Sequence, residues 1–398
     1  MSRFHHYEPD QMYLLPPSVV EVLSEQHLCF HVHRVVEALD VSEFEQAYGR
    51  EGRLAYPPRM MLKVWLYAFC LQVHSTRRLE QRIGEDLALR YLAGGLRPDH
   101  KTLSEFLRRH RRAINDVFTQ VLGMARKAGL AQLGHVAVDS TRIGANAARS
   151  SVVEERHQRA VDRLKGRRFQ QKASIPEGDE NGGVVLEAQQ QEALSAQLQA
   201  GTELTRLPRP SRAQSSTTDP DSRFLRARDG WVLGYTADLA VSQDHFIVAT
   251  RVTQQATDNG SLVPMMAEVK RQCRSQAEKV SADSGFFSAK ALDFFDQHGI
   301  DGYLPDNNLK HEFNTGEVAP GLGRSPIRNP KHHRMREKLR SQAGRKIYQR
   351  RQAIVEPVIG ILKQQRGLRR FQRRRLVNVQ TEWMLMAIAH NIARMRAL

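Results

Sequence analysis

The sequence predicts an α/β fold in which a mixed sheet flanked by helices follows an all-α N-terminal segment. Three observations carry this. Apolar residues recur at helical spacing through the first third of the chain. Short β-rich runs begin at His135 and resume near residue 230. Helical periodicity then separates the later strands from one another. With 398 residues, 40% of them hydrophobic, the chain can bury a sizeable core and is long enough for more than one unit.

Residues 1–130 read as helical. Met60–Val73 carries an apolar stripe, and a second run through Leu79, Ile83, Leu87 and Tyr91–Leu92 is closed by Gly94–Gly95 and Pro98. Thr102-x-x-Glu105 has the form of a capping box before the stripe Phe106, Leu107, Ile114, Val117 and Phe118. The opposite face carries Arg108, Arg109, Arg111 and Arg112. That arrangement fits a helix-turn-helix-like DNA-binding unit or a dimerisation domain. Val136–Val138 is a short strand ending in Asp139, so residues 131–149 open a second unit. Residues 150–228 are polar and read as an inserted helical hairpin, Val152–Lys172 and Val184–Ala200, with a linker from Pro208 to Pro220. Residues 229–398 resume the core. Trp231–Val241 and Phe246–Thr253 form a hairpin, and a helix capped by Asp258 runs to Cys273. Strand Lys279–Ala282 ends in Asp283, and Ser288 opens a helix to His298. Gly302–Leu304 is a brief strand. After a basic irregular segment, two helices, Lys346–Arg366 and Val379–Arg396, close the chain.

Charge narrows the function. The net charge is +17, and residues 324–375 hold eighteen Lys and Arg against two acids. An excess concentrated so locally points to a polyanion. Apolar residues Ile354, Val355, Val358, Ile359 and Leu362 recur within this stretch at helical spacing, so the charge sits on packed structure rather than on a tail. Leu368 and Phe371 anchor the cluster Arg366, Arg369, Arg370, Arg373, Arg374 and Arg375, leaving its guanidiniums to project toward phosphates. Three scattered cysteines give neither a disulfide framework nor a zinc pattern, so a reducing, cytoplasmic and nucleoid-associated setting and no structural zinc are expected. No apolar run is long enough for a membrane span.

Without the insertion, the order is strand, strand, strand, helix, strand, helix, strand, then helices. That is the order of a ribonuclease H-like core, an antiparallel meander followed by parallel strands with helical crossovers. Its first and fourth strands are neighbours, so Asp139 and Asp283 emerge side by side. Phosphoryl transfer needs an activated oxygen nucleophile and a stabilised leaving oxygen. Divalent ions held by converging carboxylates supply both, and Mg²⁺ or Mn²⁺ prefers hard oxygen donors. Glu356 is the third carboxylate. On a helix turning about 100° per residue, Tyr348, Arg351, Glu356 and Lys363 project at about 0°, −60°, 80° and 60°, one broad face. Pro357 bends that helix or marks its first turn.

Several segments taken together resemble the bacterial insertion-sequence transposases of the Asp-Asp-Glu type that carry a Tyr-Arg-Glu-Lys signature. They are Leu96–His100 with Phe106, Val138–Thr141, Thr218–Arg223, Ala282–Ser288, and Tyr348 and Arg351 through Glu356 to Lys363, in the family's order. The resemblance implies Mg²⁺-dependent (or Mn²⁺-dependent) cleavage at transposon ends and strand transfer into target double-stranded DNA. It gives Asp139, Asp283 and Glu356 the metal-ligand positions and Tyr348, Arg351 and Lys363 the accessory ones. Four residues separate Arg351 from Glu356 where the signature has three. Reaction at two ends implies a homodimer on DNA. The alternatives are a transposase-derived DNA-binding regulator without catalysis and a structure-specific nuclease on the same fold.

Other residues have plainer readings. Asp219 and Asp221 flank Pro220 as a turn. Asp238 lies within a strand as a candidate supporting group, though its neighbours offer no metal-binding pattern. Ser140 and Thr141 either orient Asp139 or serve packing or solvent exposure. The histidines His27, His31 and His33 are structural or surface groups, and Trp231 and Trp383 belong to the core.

Overall fold

The computed structural model describes residues 18–49, 54–154, 214–227, 230–315 and 329–397. The N-terminal part is helical: α1 (Val19–Val22), α2 (Leu28–Glu37), α3 (Ser42–Glu45), α4 (Pro58–Cys70), α5 (Thr76–Glu85), α6 (Leu87–Leu92), α7 (His100–Arg109) and α8 (Arg111–Lys127). Pro58 opens α4 at a position where its missing N–H costs nothing, and the helix buries Met60 to Phe69 without interruption. The run Leu79–Leu92 is two helices rather than one. Asp86 ends α5 and caps α6, accepting from Leu89 N at 3.0 Å.

The expected capping box is also displaced. Asp99 is the N-cap of α7 and accepts from Thr102 N at 2.7 Å, which puts Thr102 inside the helix. Asp is among the best cap residues, so the helix starts one turn early. The arginines 108–112 therefore straddle the joint between α7 and α8, where His110 is buried against Phe106 and Phe44.

The sheet comprises β1 (His135–Gly144), β4 (Arg223–Ala227), β5 (Gly230–Ser242), β6 (Ile247–Thr253), β7 (Lys279–Ala282) and β8 (Asp301–Tyr303). β4 and β6 share one edge of β5, followed by β1, β7 and β8. β1 runs antiparallel to β5 and parallel to β7, and β7 is parallel to β8. The crossovers are α9 (Leu262–Cys273) and α10 (Ala289–His298). Ser288 caps α10 as expected, accepting from Ala291 N at 3.1 Å. Asp258 does not cap α9; Ser261 holds that place, and the Asp258 side chain turns to β1.

The expected helical hairpin lies almost wholly outside the described residues. Its two ends are strands, not helix and linker. β2 (Val152–Glu154) pairs antiparallel with β3 (Gln214–Ser216), which suits the β-branched Val152–Val153 pair. The basic segment after β8 is likewise regular where it is described. Asp306 accepts from Leu309 N at 2.9 Å near the start of α11 (Asn307–Thr315). Asn329 caps α12 (Pro330–Arg340), whose cations meet acids from neighbouring elements.

Helix α13 (Gln342–Gly360) starts at the cap Ser341, four turns before Pro357. Pro357 is thus interior, and it cannot donate to the carbonyl of Ala353. His245 Nε2 meets that carbonyl instead, at 3.0 Å. A π-helical turn, Ile361–Gln365, follows. The last helix, α14 (Leu376–Arg396), buries Trp383, Leu385, Met386, Ile388 and Ile392, packing against α4, α8 and β6. One hydrophobic core therefore runs from the N-terminal helices through α14 into the sheet. No helix among the described residues is long and apolar enough to cross a membrane.

Candidate active site

The parallel register of β1 and β7 ends at Val138 opposite Ala282. The next residue on each strand is an aspartate, so Asp139 and Asp283 leave adjacent strands about 4.8 Å apart. β1 continues to Gly144 along β5, whereas β7 stops and turns through Ser284–Phe286. Both carboxylates are held alike. Oδ1 of Asp139 accepts from Ser140 N, and Oδ1 of Asp283 from Ser284 N, each at 2.8 Å. Ser140 thus orients Asp139 through its amide rather than its hydroxyl.

Oδ2 of each aspartate faces a cation. Arg351 Nη1 lies 3.0 Å from Asp139 Oδ2, and Lys310 Nζ lies 2.8 Å from Asp283 Oδ2. The two acids differ electrostatically. Burial raises the Asp139 carboxyl above its ordinary value, against Arg351 and the Ser140 N–H, with the Asp283 charge adding to the rise. Burial opposes ionisation of Asp283 too, but the Lys310 ammonium, the Ser284 N–H and Arg351 outweigh it and hold that carboxyl low. Tyr348 lies beside the pair with its ring centroid 6.0 Å from Arg351 Cζ, and burial pushes its phenol up to about 12.

Glu356 does not join this group. It is exposed on α13, about 140° around the axis from the buried Arg351. Among the described residues no three His, Cys, Asp or Glu side chains converge to hold a metal ion. The pair itself fits one by its chemistry. It offers adjacent hard oxygens, and side-chain cations now stand at the oxygens a divalent ion would take. Lys363 lies in the π-turn, partly buried.

The arginine-rich stretch after α13 lies alongside the far end of β1. Leu368 and Phe371 are fully buried, as anchors should be. Gly144 N donates to Arg369 O at 3.0 Å, and Phe371 N donates to Gly144 O at 2.9 Å. Three acids fix the following backbone. Glu382 accepts from Gln372 N and Arg373 N, Asp219 Oδ1 from Arg375 N at 2.8 Å, and Asp221 Oδ2 from Leu376 N at 2.8 Å. Asp219 and Asp221 flank the expected turn, and they also tie it to the start of α14. The arginines do not simply project outward. Arg366 reaches inward to Cys70 O at 2.9 Å, Arg369 to Gln364, and Arg370 to Ala145 O at 2.8 Å. Arg374 donates to Asn146 O at 3.0 Å and Arg373 to Ser104 O at 3.3 Å. Arg369, Arg370, Arg374 and Arg375 remain exposed.

Trp231 is 59% exposed, unlike the buried Trp383. It lies beside the turn of the β4–β5 hairpin, paired with Arg226 but beyond the last β1 pairing at Gly234, and Arg149 donates to its carbonyl. In the helical half, Arg108 pairs with Glu105 at 2.7 Å and Arg109 lies 5.1 Å from the Tyr48 ring centroid; both are exposed.

Lys310, Asp258 and Glu382 were not singled out in these roles by the sequence. Glu382 had a signal, a lone acid amid the apolar residues of α14. Lys310 had none, since its partner depends on how α11 docks. Asp238, opposite Ser140 on β5, is fully buried; burial and then the Asp258 charge push its carboxyl up to about 7.

Residues 18–109 match the family model described as a transposase domain (DUF772). Residues 210–392 match that of a transposase DDE domain, a stretch that contains Asp283 and Glu356 and begins after Asp139. No curated protein and no solved structure matches the chain.

Proposed function

The chain belongs to the DDE transposases of insertion sequences, enzymes that act on DNA, and from that premise we propose that it binds the terminal inverted repeats of its element, cleaves there and transfers the strand. The single observation that carries this reading is the register that sets Asp139 beside Asp283. The catalytic core is ribonuclease H-like, in keeping with its strand order.

Domains of this kind depend on a divalent metal, here Mg²⁺ or Mn²⁺, held by Asp139 and Asp283 with Glu356 as the third ligand on the family pattern. When bound, the ions polarise the scissile phosphate and activate the attacking hydroxyl. The Ser140 and Ser284 N–H groups keep one oxygen of each aspartate fixed and leave each Oδ2 to a cation. Arg351 and Lys310 hold those oxygens beforehand and are then free to meet DNA phosphates. Glu356 comes to the pair when α13 settles on bound DNA. The exposed arginines Arg369 and Arg370, with Arg374, grip the backbone beyond the site. Tyr348, Lys363 and Arg366 add DNA contacts, and Arg108 and Arg109 contact the end DNA from the helical half. Residues 1–130 form the DNA-binding and dimerisation domain, residues 150–228 an insertion, and residues 131–149 and 229–398 the core. Two protomers assemble on paired ends.

The test is a duplex carrying the element's own terminal repeats, incubated with protein and Mg²⁺ or Mn²⁺. Nicking at the repeat and joining of the new 3′ end to a second duplex are expected. Cleavage without any joining would contradict strand transfer.

A further inference from the structure

On the sheet face opposite Asp139, one carboxylate accepts from the residue after Asp139 and lies close to the glycine two residues after Asp283. Successive side chains of a strand alternate faces, so Ser140 points away from Asp139. Its hydroxyl donates to Asp258 Oδ1 at 2.7 Å. Arg142, two residues along the same face, donates to Asp258 Oδ1 at 3.1 Å, to Ser140 Oγ at 3.0 Å and to Ala256 O at 3.2 Å. The other oxygen of Asp258 faces Gly285, where an added Cβ would lie 3.1 Å away. Ser140 is the residue whose amide holds Asp139, and Gly285 follows the residue whose amide holds Asp283.

We propose that Asp258 is a positioning residue that locks the ends of β1 and β7 at the spacing their two aspartates need to share a divalent ion. The inference rests on the transposase reading of that pair. Asp258 touches neither aspartate, and it acts through Ser140 on one side and the backbone at Gly285 on the other. Removing it takes the acceptor from Ser140 Oγ and the carboxylate from Arg142, which keeps its bond to Ala256 O as a tie between β1 and the loop 254–261. The aspartates keep their amide partners but lose the common brace behind them. Removing a partner that stands behind a metal ligand typically changes affinity by about 10–100-fold.

The experiment measures Mn²⁺ binding to the DNA-free full chain by calorimetry, for wild type, Asp258→Ala, Asp258→Asn and Gly285→Ala. Melting temperature and end-DNA affinity are measured in parallel. Asp258→Ala is expected to weaken Mn²⁺ binding about tenfold or more, with end-DNA affinity unchanged. Asp258→Asn, which keeps an acceptor for Ser140, recovers part of the loss. Gly285→Ala crowds Asp258 from the other side and weakens Mn²⁺ binding with Asp258 intact; it decides the matter if Asp258→Ala does not fold. Wild-type Mn²⁺ affinity in folded Asp258→Ala or in Gly285→Ala overturns the inference. A wild-type chain that binds no Mn²⁺ either alone or on end DNA overturns the reading of the pair instead.

Discussion

Two cationic regions that look alike in sequence behave in opposite ways. In α12 nearly every cation meets an acid. Lys331 meets Asp293 and Asp296, Arg334 meets Asp296, Arg336 meets Asp306, Lys338 meets Asp301 and Arg340 meets Glu312. In residues 366–375 the acids instead bind backbone N–H groups, and among the described residues Arg369, Arg370, Arg374 and Arg375 form no ion pair with a carboxylate. Positive charge in α12 holds α10, β8 and α11 together. Positive charge in the later stretch stays exposed on a backbone already fixed in place.

The sharpest way to break this comparison is to neutralise each region in turn. Replacing Arg369, Arg370 and Arg374 by Ala is expected to lower the slope of log affinity for DNA against log salt by about 2.7, roughly 0.9 for each phosphate no longer neutralised. Fluorescence anisotropy across a salt series reads it. Replacing Lys331 and Arg334 by Gln should leave that slope near the wild-type value. An equal fall in both variants would erase the distinction.

Stability should move in the opposite sense. Arg336→Gln leaves the buried Asp306 carboxylate with His332 as its remaining side-chain partner and is expected to cost about 2–3 kcal/mol in urea unfolding. Arg374→Ala, at an exposed site, should cost about 0.5 kcal/mol or less. A smaller effect concerns the carboxylate that fixes the arginine backbone. Burial pushes Glu382 up to about 7, against the pull of the Gln372 and Arg373 N–H groups. Its folded value lies above the ordinary 4.5, so its stabilising contribution is complete below that pH and is lost as pH rises through about 7. Melting curves of Glu382→Gln from pH 4 to pH 8 should lack that decline.

The same contrast marks what was legible in the sequence. β1, β5, β6 and β7 could be read because β-branched runs end at turns, and their order fixes Asp139 beside Asp283. The charge of residues 324–375 could be counted, but not sorted, because Asp293, Asp296, Asp301 and Asp306 reach α12 only through tertiary packing. The helix carrying Glu356 could be read. Its rotation could not, because Val355 and Val358 bury the face that Arg351 shares and turn Glu356 outward. Thr102 gave way to Asp99 as a cap because both fit the local pattern and only one can start the helix. Asp258 has the local pattern of a cap, whereas its partners, Ser140 and Gly285, are distant in sequence.

Whether Asp139 and Asp283 hold the ion for DNA cleavage is tested most directly by metal rescue. Asp283→Cys replaces a hard oxygen by a thiolate, which Mg²⁺ accepts poorly and Mn²⁺ accepts better. Cleavage of end-bearing DNA by this variant should be lost in Mg²⁺ and return in part in Mn²⁺, while Asp283→Asn stays inactive in both. Wild-type cleavage by Asp283→Asn in Mg²⁺ would contradict the assignment of this aspartate.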